Sequence, residues 1–433
     1  MRKTLCLMTV ILVSFLACGE KTVETPVPGN PLLAEFSTPF GVPPFDLIKS
    51  EHFMPAFEQG MAGQMREIEA IVKSGEPPTF ANTVEALDRS GALLKRVGAI
   101  FNNLNSSNTN DALQQIAKDV APKLAKHGDD ISLNPELFAR VKAVYEGRAS
   151  LALSREQSRL LEKSYKDFVR GGANLPADKQ ARFRAINGEL AVLSVKFGEN
   201  ILKENNAFEL VLDKEADLAG LPAAVVSAAA ETAKDRGKAG KWAFTLAKPS
   251  LIPFLQYSEK RGLREKMFKA YILRGNNGNQ LDNKANAVRI ASLRLERANL
   301  LGYKTHAAYV LEENMAKTPE AVYGFLGKIW TPALAKARAE AAEMQAMIRK
   351  EGGDFKLEPW DWWFYAEKIR KAKYDLDDSA LRPYFQLENV RGGAYTVANK
   401  LWGITFTELQ GMPKYQEDVR VFEVKDADGS HLG

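Results

Sequence analysis

Apolar residues recur at spacings of three and four along most of the chain, the period of an α-helix that buries one face. Phe183, Ile186, Leu190, Leu193, Phe197 and Ile201 form one such stripe. Leu334, Ala337, Ala341, Met344 and Ile348 form another, in a segment otherwise full of Ala, Glu, Arg and Lys. Helix ends carry their own chemistry. Asn134 before Pro135 supplies a capping side chain and then a residue with no N–H to leave unpaired, and Gly147 can close that helix. Ser154 with Gln157 makes a capping box, Gly171-Gly172 is a stop, and Thr318-Pro319 starts a further helix. Elsewhere the period drops to two. Residues 207–212 (AFELVL) and 242–246 (WAFTL) predict short strands around an Ala-rich helix, and so do residues 404–406 and 419–424 (VRVFEV). The last strand runs into Asp426-Ala427-Asp428-Gly429, a strong turn signal. Only Ser430 to Gly433 follow, so the pattern reads as a hairpin whose second strand is absent. The predicted class is mainly α, with a few short β-strands.

The first residues follow a different rule. Arg2 and Lys3 precede an apolar run from Leu5 to Ala17 that is too short for a comfortable membrane span and has the layout of a secretory signal. Ala17-Cys18-Gly19 resembles a bacterial lipoprotein cleavage site, with Cys18 as the acylated N-terminus; ordinary cleavage nearby with an incidental Cys is the alternative. The expected organisation is a signal over 1–17, a Pro/Thr-rich tether over 18–35, an N-terminal helical region over 36–160, and a helical region with short strands over 161–433. The expected location is the periplasm or cell envelope, with the protein held to a membrane through its N-terminal lipid.

Composition narrows the chemistry. The chain has 433 residues, 45% hydrophobic and 26% charged, enough for a large core. Its net charge of +5 falls to +3 once Arg2 and Lys3 leave, and no Lys/Arg block exists, so nucleic acid has little support as a partner. Both cysteines, Cys6 and Cys18, lie in the leader, which excludes an internal disulfide and thiol catalysis in the mature chain. The histidines, His52, His127, His306 and His431, are isolated from one another. A helical zinc-protease site needs two His four residues apart with a Glu between them, and no such pair is present. There is no G-x-S-x-G elbow, and residues 274–278 (RGNNG) lack the spacing of a phosphate loop. Asp375, Asp377 and Asp378 could hold a cation or could start the helix leading to Leu381, where negative charge suits the helix end. Residues 359–365 (PWDWWFY) bring Trp360, Trp362, Trp363 and Tyr365 together. Such rings can line a peptide channel and can equally fill core between helices. No catalytic or metal-binding residue is nominated.

The order of several short stretches is similar to that of the thimet oligopeptidase and peptidyl-dipeptidase family of zinc metallopeptidases. Pro43-Pro44-Phe45-Asp46, Glu51-His52-Phe53, Pro55-Ala56-Phe57 and Phe80-Ala81-Asn82-Thr83 resemble its opening, as do residues 105–111 (NSSNTND). Arg264-Glu265, Arg274-Gly275, Gly302-Tyr303, Trp360-Asp361-Trp362, Tyr365-Ala366-Glu367, residues 381–385 (LRPYF), 403–406 (GITF) and 418–421 (DVRV) continue it to the last residues. The resemblance implies a mostly helical, two-lobed body around a deep channel that admits short unstructured peptides and releases C-terminal dipeptides. It implies zinc on a helix bearing H-E-x-x-H, with a Glu ligand on a later helix. In the family these lie downstream of the stretches that match, so none is carried over to this sequence. The chain is expected to be the N-terminal lobe and an incomplete catalytic half, inactive alone. The alternative is a non-catalytic lipoprotein that reuses the lobe as a peptide-binding or scaffold module.

Overall fold

A computed structural model describes residues 29–375 and 378–433. The expected signal, Cys18 and most of the tether lie outside the described residues, as do Asp377 and the Asp378 side chain.

The described chain is predominantly α-helical, with two small antiparallel strand pairs. In the first part, helices Phe53–Val72, Ala92–Ser107, Asp111–Ser132, Pro135–Glu146 and Arg155–Arg170 pack together. Leu32, Phe53, Phe57, Val97, Phe101, Leu113 and Val120 form one core, with Phe53 and Phe57 edge-on to Phe101. Ile68, Leu137, Phe138, Val141 and Phe168 form the next. The expected caps are present: Asn134 Oδ1 accepts from the Glu136 and Leu137 amides, and Ser154 and Gln157 form their reciprocal box. Gly172 follows the helix stop with φ of +91°, a conformation that suits glycine.

The long helix Ala177–Ala207 lies against Asp111–Ser132 on one side and Lys284–Leu300 on the other. Its stripe is deepest at Phe183, Ile186 and Leu190 and shallower onward, with Phe197 36% exposed. Beyond it, β1 (Leu210–Leu212) pairs with β2 (Trp242–Phe244), Leu210 opposite Phe244. These strands and helices Ala223–Asp235, Lys248–Tyr257 and Arg261–Ile272 enclose a core of Leu210, Phe244, Phe254, Leu255 and Met267.

Helix Pro319–Lys350 is longer than its stripe predicts, because it runs through Pro332. A proline inside a helix forfeits one backbone bond and crowds the preceding turn, so such a helix usually kinks or ends there. Met344 and Ile348, near the other end, are buried with Phe364 and Tyr365 of helix Trp362–Tyr374.

The expectation for the C-terminal strand needs correction. β4 (Val421–Lys425) has a partner, β3 (Thr405–Leu409), in antiparallel register with Phe406 opposite Val424. Phe406 stacks on Tyr395 at 4.2 Å and Phe422 meets the same ring edge-on, which seats the pair on helix Leu387–Trp402. After the Asp426–Gly429 turn the chain also returns: His431 bridges Lys425, and Val424 donates to the Gly433 carbonyl at 2.7 Å. Tyr415 packs edge-on against Phe45, joining this region to the N-terminal part.

Candidate functional site

The aromatic segment is fixed by a buried charge cluster. Pro359–Asp361 forms one turn of 3₁₀ helix that feeds directly into helix Trp362–Tyr374. Asp361 is fully buried, and its carboxylate accepts from the Glu358 amide at 3.1 Å, closing that turn. Arg261 donates to it through Nε (3.0 Å) and Nη2 (2.8 Å), and Arg264 through Nη2 at 2.9 Å. Arg264 is itself 2% exposed and also donates to the Ser258 carbonyl at 2.7 Å. Burial pushes the Arg264 pKa below the usual guanidinium range against the pull of Asp361. The two guanidinium groups lie over aromatic faces, Arg261 over Phe355 at 4.3 Å and Arg264 over Phe364 at 4.1 Å. A cation so enclosed is held by both the counter-charge and the ring quadrupoles.

This clasp sorts the four nominated rings. Tyr365 is 5% exposed and belongs to the core with Met344 and Ile348; burial raises its phenol pKa. Trp360 packs edge-on against Phe268 and lies beneath Lys269, 4.9 Å away. Its indole Nε1–H is buried with no acceptor among the described residues. Trp362 and Trp363 line an open pocket of about 440 Å³ with Phe268, Leu357, Glu358 and Pro359. The wall is apolar and aromatic apart from Glu358, a composition suited to holding apolar groups.

A second pocket, of about 450 Å³, has no counterpart among the sequence motifs. It lies among helices Asp111–Ser132, Ala177–Ala207 and Lys284–Leu300 and is polar. Asp129, 6% exposed, accepts from Asn187 Nδ2 at 2.7 Å; burial raises its pKa above the usual carboxylate range. Arg297 donates to Asn187 Oδ1 at 3.1 Å. Arg170 donates to the Tyr309 carbonyl at 2.8 Å and pairs with Glu312. These residues are spread from 129 to 312, so no local motif could have announced them.

Residues 274–278 serve the fold. Glu204, buried on the long helix, accepts from the Gly275 amide and from Asn277 and Asn279 Nδ2. Burial opposes its ionisation, but these donors win and hold its pKa below the usual value. Gly275 has φ of +71°, and a Cβ there would sit 2.8 Å from Ile201 Cδ1. Glycine is required at that point.

Residues 254–433 match the sequence profile of Peptidase family M3. The Dipeptidyl carboxypeptidase of Escherichia coli K12 is 40% identical over 404 residues, covering 93% of this chain and 59% of that protein. The protein of the same description from Salmonella typhimurium LT2 is 40% identical over 401 residues, 92% of this chain and 59% of the relative. Oligopeptidase A of the latter organism is 30% identical over 408 residues, 93% and 59% respectively. The chain is similar to peptidase family M3, by profile over residues 254–433 and by its relatives over 93% of its length. It spans about three-fifths of the length of these curated relatives.

The residues present do not fit the zinc that the family resemblance implies. Among the described residues no three His, Cys, Asp or Glu side chains converge as a metal site would require. Each histidine has other surroundings. His52 Nδ1 accepts from the Lys49 amide at 3.1 Å, and His127 Nε2 meets Gln64 Oε1 at 2.7 Å. His306 stacks near Tyr309, and His431 stacks on Phe40 and meets Glu423. Several stretches that carry the family resemblance turn out to be clasps: Arg264 and Asp361 in the charge cluster, and Gly275 at Glu204.

Proposed function

We propose that this chain is the peptide-admitting lobe and the beginning of the catalytic half of a zinc peptidase that releases C-terminal dipeptides from short peptides. The observation that carries the reading is the 40% identity with Dipeptidyl carboxypeptidase over 93% of the chain. In the family zinc supplies the Lewis acid and the activated water; the residues of this chain contribute walls and contacts for the peptide. Trp362 and Trp363 would hold peptide side chains against flat rings at low entropic cost, and Asp361 with its two arginines would keep those rings in place. The chain alone binds short unstructured peptides and hydrolyses none of them.

Trp363 is half exposed, so peptide binding is read directly by indole fluorescence. Titration with a short unstructured peptide should give a saturable change that Trp363→Ala reduces by tenfold or more without altering the helical signal. A titration with no saturable change in either protein would exclude peptide admission.

We further propose export and lipid attachment at Cys18, from the charged start, the short apolar run and Ala17-Cys18-Gly19. Cys18→Ala should move the protein from the membrane to the soluble fraction. Unchanged partitioning would leave ordinary secretion as the reading.

A further inference from the structure

The polar pocket among helices Asp111–Ser132, Ala177–Ala207 and Lys284–Leu300 has charges that the fold leaves unmatched. A carboxylate as buried as Asp129, 6% exposed, is ordinarily paired with a cation. Asp129 forms no ion pair among the described residues. Its Oδ1 accepts from the neutral Asn187 amide at 2.7 Å, and its Oδ2 has no hydrogen-bond partner among them. Arg184 pairs with the neighbouring Asp130 instead, at 2.7 Å.

The cations on the opposite wall are unmatched in the same way. Arg170 is satisfied by Glu312 and by the Tyr309 carbonyl. Arg294 and Arg297 lie three residues apart on helix Lys284–Leu300 and line the pocket together. Neither forms an ion pair among the described residues, and Arg294 makes no hydrogen bond there. Arg297 donates to Asn187 Oδ1 at 3.1 Å, while its Nε–H is buried without an acceptor. Asn187 therefore stands between opposite charges, and its amide keeps Asp129 and Arg297 from neutralising each other directly.

Space is left beside these groups. Gly128 lies inside helix Asp111–Ser132, where glycine weakens the helix, yet a Cβ there would meet no atom within 4 Å. Packing does not require glycine at that point, and its missing side chain keeps the pocket open. Gly128, Leu124 and Ser132 also border an adjoining pocket of about 420 Å³, whose wall includes Leu87, Leu94 and Phe168.

A simple anion in the polar pocket would meet Asp129, and a simple cation would meet the two arginines. One molecule carrying both charges suits both walls, and a pocket of about 450 Å³ has the volume of a small-molecule site. We infer that this pocket binds a small zwitterion of dipeptide size, its ammonium on Asp129 and its carboxylate on Arg294 and Arg297. Its side chain points to the apolar space beside Gly128. Charge-assisted hydrogen bonds at each end give the selectivity. On the peptidase reading such a molecule is the released dipeptide; that identification rests on the reading, whereas the chemistry of the pocket does not.

The test is calorimetric titration of the full chain with the dipeptide Ala-Leu, with N-acetyl-Ala-Leu, which lacks the ammonium, and with Ala-leucinamide, which lacks the carboxylate. The expected result is saturable one-to-one binding of Ala-Leu, at least tenfold weaker for each blocked analogue. Arg294→Gln, an exposed position, should weaken Ala-Leu binding at least tenfold and remove the preference over the amide. Asp129→Asn should remove the preference over the acetylated analogue, and Gly128→Leu should fill the space and weaken Ala-Leu at least tenfold. Unchanged circular dichroism shows that each variant is folded. Four results would overturn the inference: no saturable heat up to about 10 mM Ala-Leu, equal binding of the blocked analogues, an Arg294→Gln variant that binds as the parent does, or displacement by Ala-Leu of a longer peptide from Trp363. The titration involves no hydrolysis, so its failure leaves the peptidase reading standing, and absence of peptide binding at Trp363 leaves this pocket standing.

Discussion

Asp361→Asn is the sharpest perturbation of the aromatic pocket's support. Asn keeps the shape of Asp but brings no charge, and it offers one oxygen where Arg261, Arg264 and the Glu358 amide all need acceptors. Arg261 is about a third exposed and can turn to water, so its loss is small. Arg264 cannot. At 2% exposure it would remain a buried cation without a counter-charge, a change that costs about 3–5 kcal/mol. Urea unfolding followed by tryptophan emission reads this directly. With a slope of about 3 kcal/mol per molar, the midpoint should fall by roughly 1–1.7 M. Removing both charges with apolar side chains, Arg264→Met with Asp361→Leu, should recover much of the loss, since neither group is then stranded. An Asp361→Asn midpoint within about 0.3 M of the parent, which corresponds to about 1 kcal/mol at that slope, would refute the stranded-cation cost.

Asp129 should act in the opposite sense. Its folded pKa is raised chiefly by burial, so its contribution to stability is fully present below the unfolded value near 3.8 and is lost as pH rises through the folded value. Asp129→Asn should therefore raise the thermal midpoint at pH 7 and make no difference below pH 3.8; a variant less stable at pH 7 contradicts this assignment. Gly275→Ala should lose about 1–3 kcal/mol, because it forces a left-handed residue with Cβ against Ile201. An unchanged urea midpoint would show that the loop yields and that the Glu204 clasp is not rigid.

Local chemistry made much of the fold legible. Asn134, Ser154 and Thr318 were readable as caps because a cap is satisfied within three residues, and each does accept the expected backbone N–H. The helix through Pro332 was not readable, since proline locally argues for a stop. The partner of β4 was misassigned for a related reason. The turn after it is a strong adjacent signal, whereas β3 lies across an eleven-residue connection with no regular structure. For the site, the rings of 359–365 were conspicuous, but alternation of core and pocket among them depends on Arg261 and Arg264, about a hundred positions away. The polar pocket of Asp129, Asn187 and Arg297 was invisible for the same reason. Those contacts are tertiary, and no window along the chain contains them.

Whether this chain carries the peptide-admitting part of an M3 peptidase without its catalytic metal is decided by two readings on one purified sample. Metal analysis counts zinc per chain, and mass spectrometry detects C-terminal dipeptides released from short peptides. Zinc should lie well below one per chain, with no dipeptide above a protein-free control. One tightly held zinc per chain, with dipeptide release abolished by a chelator and restored by zinc, would contradict this.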